Sequence, residues 1–575
     1  MPSVTLDEVK ACRDKLKSGK ASGPDATPIE QFKASDAATE ELHHVLSTIF
    51  DTESIPDNFV IADMLMHYKK KDKDNRGNYR ALGLLNHGYK VFAMILLARI
   101  SPYIMPKLLD TQAGFRKERG CRNNILILVT AINHLLKTAE DDARSCGIIT
   151  YIDYTAAFDS IYHSYLLNAL TSYGVPMKYC RLVREIYRSA EVRVRLQDRS
   201  GNRSYSRNVS VSRGVIQGDI PSPVCFLVAL DKMLREHGGI DTGIQITKDL
   251  LLSDLEFADD ASLPNEDTIT ASNRLTHLDE KSTEEAGMSI SIPKTKAQHI
   301  RKRPQVSATT EEDIDNLPPE KQFKFKCDKC PMTYPTQHGL SVHKGRRFCK
   351  KRKNAKKASR KGTVADRIIT RRKIDDIQSS YEKVSIGAEE LENVYAFVYL
   401  GAAIAGDGDP QVTLKHRTDI AWGCFNEYRK TLTSTKLPVQ MRISLYRSLV
   451  IQSLIYGSEA WFFKDDIRKS VNGVSSKFLS QITKKSIHAE AKHPSFSVVD
   501  NILKRRWEYL GHILRMENYR TLRRFLLELS TREAPFTDGS LLADTNFRSQ
   551  GEMIETAQDQ KNWKKKRKIR QMIAE

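Results

Sequence analysis

Three aspartates in this chain stand where apolar segments end. Asp153 follows the run GIITYI that begins at Gly147, and the pair Asp259-Asp260 follows the short segment LEFA. Neighbouring carboxylates raise each other's pKa unless a cation neutralises them. Magnesium suits such a group because it binds a few carboxylates together with water and substrate phosphates. Since two such ions can activate an attacking hydroxyl and stabilise a leaving pyrophosphate, the aspartates are candidate catalytic metal ligands.

The same Asp259-Asp260 pair also fits a plain polar turn, because Asp is common in turns. Leu250 to Phe257 and Ala261 to Leu263 flank the pair and predict a hairpin with the acidic residues at its tip. Gly147 to Tyr154 contains β-branched residues and predicts a central strand. The choice between a turn and a metal site therefore depends on the surrounding sequence.

A second group of residues has the spacing of zinc ligands. The pattern C-x2-C-x12-H-x5-C is formed by Cys327, Cys330, His343 and Cys349. Tyr334 and Leu340 occupy the positions of the small core of a ββα zinc finger, with Cys in place of the last His. A closed set of ligands predicts one structural Zn²⁺ ion. The alternative is a flexible insert that happens to contain ordinary Cys and His residues.

Helices and strands that could position these groups are predicted on both sides of the Cys/His cluster. Helical spacing occurs at Val4 to Leu16, Tyr89 to Ile100 and Ile125 to Leu136, and again from about 419 to 516. The composition becomes polar near Arg301, and residues 350–361 carry eight basic side chains in twelve positions. The chain therefore predicts a mixed α/β body, an insert and a helical C-terminal part.

The overall charge points to a polyanionic partner. The 575 residues include 91 Lys and Arg against 71 Asp and Glu, which gives a formal net charge of +20. Such a surplus favours phosphate-rich ligands, since binding them releases counterions. No apolar run is long enough for a membrane-spanning helix, and the polar start lacks a signal peptide. Nine Cys in this length predict a reducing compartment and no disulfide scaffold.

Eight motifs, in order, resemble those of the reverse transcriptases of non-LTR (LINE-type) retrotransposons. They are SGKASGPDATPIE (18–30), KKKDKDNRGNYRALGLLN (69–86), TQAGFRKERGCRNN (111–124), YIDYTAAFDSI (151–161), GVIQGDIPSP (214–223), FADD (257–260), AGMSISIPKTK (286–296) and VYLG (398–401). The resemblance implies a right-hand polymerase fold, α/β (α+β), with fingers, palm and helical thumb. It also implies an RNA-directed DNA polymerase that uses two Mg²⁺ ions, an RNA template, a DNA primer or target DNA, and dNTPs.

The resemblance assigns a role to each matching residue. Asp153 and Asp259 become the metal ligands, with Asp260 as an auxiliary one. Arg80 matches the fingers arginine that grips the triphosphate, and a guanidinium suits that task. Phe158 matches the aromatic residue under the sugar, where a ring would exclude a ribose 2′-OH. The remaining nucleotide-binding candidates are Lys70, Lys71, Gln217, Gly218 and Lys294, the last of them near the leaving phosphate.

Three positions depart from the family pattern without removing a metal ligand. Phe257 replaces the usual Tyr, and Ile216 replaces a basic residue. The segment Asp219-Ile220-Pro221 replaces the commoner Pro-Leu-Ser. An intact active site is therefore expected.

The predicted organisation places fingers and palm at 1–300, a linker at 301–325, the zinc finger at 326–350 and a basic linker at 351–390. The end of the palm, the thumb and C-terminal helices follow at 391–520, and a basic tail at 521–575. The basic run at 561–570 suits RNA binding or nuclear import, so we expect a nuclear protein, with the cytoplasm as a second location.

Two alternatives to an active retrotransposon polymerase share its fold or its palm motifs. A decayed element would retain the fold and act only as a zinc-finger nucleic-acid-binding protein, whereas an intron-encoded maturase would share the palm motifs. We find no room for an endonuclease before the first motif, so a separate endonuclease is expected. The inserted finger and the segment RRWEYLGHILRM (505–516) favour the retrotransposon family.

Overall fold

The computed structural model describes residues 1–69, 72–139, 145–197, 200, 202–302, 325–326, 333–334, 381–483, 497–529, 547, 549–564 and 566. The predicted zinc ligands Cys327, Cys330, His343 and Cys349 lie outside the described residues, as do Lys70 and Lys71. Of the predicted finger, only an antiparallel pair of short strands is described, Phe325–Lys326 with Thr333–Tyr334.

Three helices open the chain: α1 Leu6–Lys15, α2 Ile29–Ala34 and α3 Asp36–Thr52. The first begins at Thr5, whose hydroxyl accepts from the Glu8 amide while the Glu8 carboxylate accepts from the Thr5 amide. This reciprocal capping satisfies two backbone donors that the helix cannot pair internally. The helix expected at Val4 to Leu16 is confirmed.

A first sheet follows these helices. Its strands are β1 Ile61–Tyr68, β2 Tyr79–Leu85, β4 Glu191–Gln197, β5 Arg203–Tyr205 and β6 Val209–Ser210. Their order is β2-β1-β4-β5, with β6 beside β4, and β1 runs parallel to β4. Asp63 and Arg193, directly paired across β1 and β4, form an ion pair of 2.6 Å. The sheet therefore joins segments that lie far apart in the sequence.

The second sheet carries the aspartates. Its strands are β3 Gly147–Ile152, β9 Leu255–Phe257, β10 Asp260–Asn265, β11 Lys296–Ile300 and β16 Glu392–Asn393, in the order β16-β11-β3-β10-β9. β3 is central and buried on both faces: Ile148 and Ile152 pack in one apolar core, Ile149 and Tyr151 in another. This burial explains why the sequence of β3 is continuously apolar.

Helices and a small hairpin surround this second sheet. They are α4 His87–Ile104, α5 Cys121–Thr138, α6 Ala157–Ser160, α7 His163–Ser172, α8 Met177–Ser189, α9 Ser222–His237, α10 Thr268–Ala286, and the strands β7 Ile244–Thr247 and β8 Leu250–Leu252. The predicted helices at Tyr89 to Ile100 and Ile125 to Leu136 lie within α4 and α5. α9 is buried along most of its length, as expected for a helix at the centre of a large core.

The chain leaves the second sheet after β11 and returns beside the same strand. Ala297 in β11 pairs with Asn393 in β16, although the two residues are 96 positions apart in the sequence. The returning strands are β14 Ser385–Ile386, β15 Glu389–Glu390, β17 Ala396–Tyr399 and β18 Ala402–Ala405. The described structure resumes at residue 381, before the start at 391 that was expected for the end of the palm. The described residues on the two sides of this segment lie close together, since the Arg301 guanidinium lies 4.3 Å from the centre of the Tyr381 ring.

The C-terminal part is helical, as expected. Its helices are α11 Pro410–Glu427, α12 Arg429–Leu432, α13 Val439–Tyr446, α14 Gln452–Leu454, α15 Asp465–Thr483, α16 Val498–Leu514, α17 Thr521–Glu528 and α18 Gln550–Gln558, with a π-helical turn at Arg447–Ile451 and short 3-10 turns at Ser458–Ala460 and Arg76–Asn78. α17 packs against α5, so this part contacts the N-terminal body.

The described residues of the predicted basic tail include two helices and a buried tryptophan. A basic tail was expected over 521–575, but Trp563 is only 2 % exposed and stacks on Trp507 with ring centroids 4.4 Å apart. Each indole N–H donates to the other residue's carbonyl oxygen, at 3.0 and 3.1 Å. A Cβ at Gly511 would lie 2.4 Å from the Trp563 ring nitrogen, so only glycine admits this packing. A buried aromatic anchor therefore stands inside a basic segment.

The described residues form a mixed α/β fold, which confirms the coarse fold class. Among the described helices, none combines the length and apolar character needed to cross a bilayer.

Candidate functional site

Two neighbouring strands bring the aspartates together. β10 is antiparallel to β3, and Ala261 lies opposite Ile152. Asp260 and Asp153 are the next residues along the two strands, and the charge of Asp153 acts on Asp260. Asp259 occupies the turn between β9 and β10. The hairpin expected from the sequence is therefore present, and it faces the end of the predicted central strand.

The electrostatics of the two turn aspartates indicate an unfavourable concentration of negative charge. Partial burial and then the charge of Asp153 raise the pKa of Asp259, against lowering contributions from Arg80 and Lys294. Desolvation raises the pKa of Asp260 to about 6, and the charges of Asp259 and Asp153 add to the rise. Carboxylates in such an arrangement require a nearby cation to remain ionised together.

A lysine supplies one such cation. The Lys294 ammonium donates to Asp153 Oδ1 at 2.7 Å, and both side chains are partly exposed. The Ser291 amide donates to the Asp153 carbonyl at 2.7 Å, and the Asp153 amide donates to Thr295 Oγ1 at 3.3 Å. The loop after α10 thus wraps around Asp153 and sets its direction. Any ion that binds Asp153 Oδ1 has to compete with the ammonium.

The described conformation does not place the three carboxylates in a closed ligand set. In the described part of the chain, ligand atoms lie within 4.8 Å of one another in only one group of three such residues, Glu236, His237 and Glu285. That exposed group is already paired: Lys232 forms an ion pair with Glu236, and His237 Nε2 lies 3.3 Å from Glu285. The aspartates therefore form an open site that leaves room for further ligands.

The predicted nucleotide-binding residues approach from the first sheet and from the segment before α9. Arg80, on β2, is exposed and close enough to act on the Asp259 charge. The Gly83 amide of the same strand donates to the Gln217 carbonyl at 2.7 Å. Gly218 has φ +104°, and a Cβ there would lie 2.8 Å from the Gly83 oxygen. Glycine at 218 is thus required for both conformation and space.

Phe158 lies beside this segment. Its ring stacks on Phe226 with centroids 4.3 Å apart and an interplanar angle of 18°. Its carbonyl accepts from the Val215 amide at 2.7 Å, and Gln217 Nε2 lies 3.5 Å from Asp159 Oδ1. The ring is only half-buried, so one part remains available to a ligand. The structure therefore places Phe158, the residue predicted to lie under the sugar, close to Gln217.

Ile216 explains one departure from the family pattern. It is 4 % exposed, and its Cγ2 would lie 3.0 Å from a Cβ at Gly83. A basic side chain at this place would be buried against the first sheet. The apolar residue is therefore part of the core in this chain.

Residues missed by the sequence argument lie behind the Asp259 turn. Gln112, Asn124 and Glu256 are buried and hydrogen-bonded to one another or to the turn's backbone. Gln112 and Asn124 lie in the motif at 111–124, but the spacing of its residues does not indicate a structural or catalytic role for either of them. Their significance depends on pairing between residues 132 to 146 positions apart.

Asp219 is a buried acid next to the nucleotide-binding segment. The Tyr89 hydroxyl donates to its Oδ2 at 3.1 Å, the Ile220 amide to its Oδ1 at 2.8 Å, and the Ser222 hydroxyl lies 3.3 Å from Oδ2. Burial raises its pKa from 3.8 to about 6, although these donors and Lys90 lower it. The unfolded chain therefore releases this proton at a lower pH than the folded protein.

We expect Asp219→Asn to change how stability depends on pH. As pH rises from about 4 to about 6, the unfolded state loses the proton first, and the contribution of Asp219 to wild-type stability falls by about 3 kcal/mol. The variant cannot ionise, so its advantage in free energy of unfolding should be larger at pH about 7.5 than at about 4.5. Urea unfolding at both values measures this difference, and an equal difference at both would contradict it.

Comparison with known proteins identifies the larger part of the first half of the chain. Residues 68–331 match the family described as reverse transcriptase (RNA-dependent DNA polymerase). A Retrovirus-related Pol polyprotein from type-2 retrotransposable element R2DM of Drosophila melanogaster is 25% identical over 235 residues, 40% of this chain. The Transposon TX1 uncharacterized 149 kDa protein of Xenopus laevis is 25% identical over 268 residues, 46% of this chain. The RNA-directed DNA polymerase from mobile element jockey of Drosophila funebris is 26% identical over 240 residues, 41% of this chain.

The matched segments are a small part of these relatives. They cover 20% of the R2DM and TX1 proteins and 25% of the jockey polymerase. The family match includes Arg80, Asp153, Asp259 and Lys294.

Proposed function

We propose that this chain, whose residues 68–331 match the reverse transcriptase family, is an RNA-directed DNA polymerase of a non-LTR retrotransposon. The observation that carries the proposal is the meeting of Asp153 with the Asp259-Asp260 turn at the end of two paired strands within that segment. The reaction is attack of a primer 3′-OH on the α-phosphate of a dNTP, with pyrophosphate leaving.

Magnesium fits the oxygen donors of this site. Asp153 and Asp259 would hold two Mg²⁺ ions, with Asp260 as an auxiliary ligand, and the raised pKa of Asp259 and Asp260 fits carboxylates that need a cation. When bound, the ions lower the energy of charge that develops on the attacking and leaving oxygens. Lys294, which neutralises Asp153 in the described conformation, would then be free to turn towards the leaving phosphate.

The other residues would bind and orient the nucleotide. Arg80 would grip the triphosphate, since its exposed guanidinium faces the Asp259 turn. Lys70 and Lys71, outside the described residues, would assist it. The backbone at Gln217 and Gly218 would lie against the base pair being formed, since glycine permits close approach of the backbone.

In a right-hand polymerase the first sheet would be the fingers and the second sheet the palm. The helices from α11 onward would be the thumb and would hold the duplex behind the active site. The hairpin of β17 and β18 lies next to this part: the Tyr456 hydroxyl donates to the Leu400 carbonyl at 3.1 Å. The partners would be an RNA template, a DNA primer or target DNA, and dNTPs, with a separate endonuclease and a nuclear location.

Primer extension by the purified chain tests this proposal. We expect Mg²⁺-dependent extension of a DNA primer on an RNA template, with dNTPs. A comparison of RNA and DNA templates with the same primer defines the template class. Nucleic-acid binding that weakens steeply with salt, without extension, would instead support the zinc-finger binding protein of a decayed element.

The residues between β11 and β14 would contain a zinc finger that binds nucleic acid. The proposal rests on the spacing of Cys327, Cys330, His343 and Cys349 and on the basic run at 350–361 that follows. Lys and Arg would bind phosphates, and one finger helix would span only about 3 bp. Because β11 and β16 pair side by side, such a module can be inserted without disturbing the second sheet.

We expect the purified protein to contain one equivalent of zinc by atomic absorption. Cys327→Ser should reduce the content below about a tenth of that value, because a structural site needs its full thiolate set. Cys424→Ser, at a thiol far outside the motif, is the matched control and should leave zinc unchanged. Retention of zinc by Cys327→Ser would reject the ligand assignment.

A further inference from the structure

A buried glutamine lies directly behind the turn that carries Asp259. Gln112 is fully buried, and its Oε1 accepts from the Ala258 amide at 3.1 Å and from the Gly114 amide at 2.9 Å. Its Nε2 donates to Glu256 Oε2 at 2.9 Å. One side chain thus contacts the residue before Asp259 and the strand that leads to it.

The turn needs such support because its strand is at the edge of the sheet. β9 ends the order β16-β11-β3-β10-β9, so its outer side has no full-length strand beside it. Side chains and a loop take that place: the Asn124 amide and the Ala113 backbone amide both donate to the Glu256 carbonyl, at 2.8 and 2.9 Å. The Tyr399 hydroxyl donates to the Leu255 carbonyl at 3.1 Å.

The backbone at the turn is also in an unusual conformation. Ala258 has φ +57°, in the left-handed region that residues with a Cβ seldom adopt. Such conformations persist where the surroundings determine them, and they often occur at functional sites. The contact is tight, since a Cβ at Gly114 would lie 2.5 Å from the Ala258 nitrogen. Gln112 Oε1 accepts the hydrogen bond from the amide of Ala258, the residue in this strained conformation.

We propose that Gln112 is a positioning residue that acts through the Ala258 amide to hold Asp259 in the direction needed for metal binding. The inference rests on the proposed function, because it assigns Asp259 to the metal site. It adds a residue that touches neither nucleotide nor metal. Gln112 holds the turn from the side opposite to the approaching substrate.

Glu256 completes the arrangement as the acceptor for Gln112 Nε2. It is fully buried, and burial together with the nearby Asp254 raises its pKa well above the ordinary value. The amide and carboxyl groups of this pair have the same shape and meet through one hydrogen bond of 2.9 Å. The donor and acceptor of this pair can therefore be exchanged, which provides a sharp test.

Four variants test the inference by single-nucleotide incorporation. Gln112→Leu removes all three hydrogen bonds of this side chain, and Gln112→Glu alone places two acidic side chains in contact. The double variant Gln112→Glu/Glu256→Gln restores a donor at 256 and an acceptor at 112. Gln298→Leu is the matched control: it is also fully buried and makes three hydrogen bonds, to Tyr151, Tyr395 and Ile404, away from the turn.

We expect Gln112→Leu to lower kcat by about 100-fold, as a small displacement of a catalytic group does, with KM for the dNTP changed by less than about threefold. Gln112→Glu should fall similarly, and the double variant should recover most of the loss. Gln298→Leu should lower Tm and leave kcat per folded molecule unchanged. Equal kcat losses in both Leu variants, or no recovery in the double variant, would overturn the inference.

Mn²⁺ binding to the protein without nucleic acid, followed by electron paramagnetic resonance, separates this inference from the proposed function. Weaker Mn²⁺ binding in Gln112→Leu than in Gln298→Leu is expected, whether or not extension is observed. If wild-type protein binds Mn²⁺ but does not extend a primer, the proposed function fails and the positioning role stands. If Gln112→Leu binds Mn²⁺ as wild type does, the positioning role fails.

Discussion

Asp259→Ala should reduce primer extension by about 1000-fold or more, because a metal-binding carboxylate contributes several kcal/mol to stabilisation of the transition state. The residue lies in the turn between β9 and β10, next to Asp260 and facing Asp153. Arg80 and Lys294 also act on the charge of Asp259. Loss of this carboxylate therefore removes a negative charge that both cationic side chains interact with. Steady-state incorporation of one nucleotide at saturating Mg²⁺ measures the effect.

The folding of this variant distinguishes a catalytic from a structural role. Burial and like charge raise the pKa of Asp259, so its ionised form costs folding energy, and its removal should leave Tm unchanged or higher. Asp241→Ala, at an exposed aspartate in the loop before β7, is the matched control and should keep full activity. Extension that survived Asp259→Ala would sink the assignment of the site.

The strands and the turn that carry the aspartates could be predicted because each of them has a local signature, whereas the metal site stays a prediction. The run GIITYI is apolar at every position since β3 is buried on both faces, and an acid directly after such a strand stands out. The acidic pair between LEFA and a short apolar segment gave the hairpin. The order of the motifs then selected a metal site over a plain turn.

What the sequence could not predict depends on contacts between distant segments. Lys294 was assigned to the leaving phosphate, whereas its ammonium lies on Asp153, 141 positions away. Gln112 belonged to a recognised motif, but its bond to the Ala258 amide spans 146 positions. Neither contact produces a pattern of residue spacing that can be recognised in the sequence.

Composition was misleading at the C-terminus. The basic run at 561–570 predicted part of a basic tail suited to RNA binding or nuclear import, and its composition gives no sign that Trp563 is buried. Trp563 is nevertheless buried against Trp507 and Gly511, because one large aromatic ring can anchor a charged segment. The number of charged residues describes the average polarity of a segment and does not reveal a single buried residue such as Trp563.

Phe158→Val is expected to relax the choice of sugar. In the proposed site the Phe158 ring lies under the deoxyribose, where a 2′-OH would overlap it, and steric overlap of this kind costs about 1–3 kcal/mol. Incorporation of a ribonucleotide relative to the matching deoxynucleotide should therefore rise by about 100-fold in kcat/KM. Incorporation of the deoxynucleotide itself should change little, because the metal-binding aspartates remain.

Phe226→Leu separates this effect from loss of packing. Phe158 stacks on Phe226, so both variants lose the same aromatic contact and should lower the free energy of unfolding, by about 1–3 kcal/mol. Phe226 is fully buried, whereas Phe158 is half-buried, so only Phe158→Val opens space on the ligand side. A gain in ribonucleotide use by Phe226→Leu alone would mean that core packing, and not the Phe158 ring, selects the sugar.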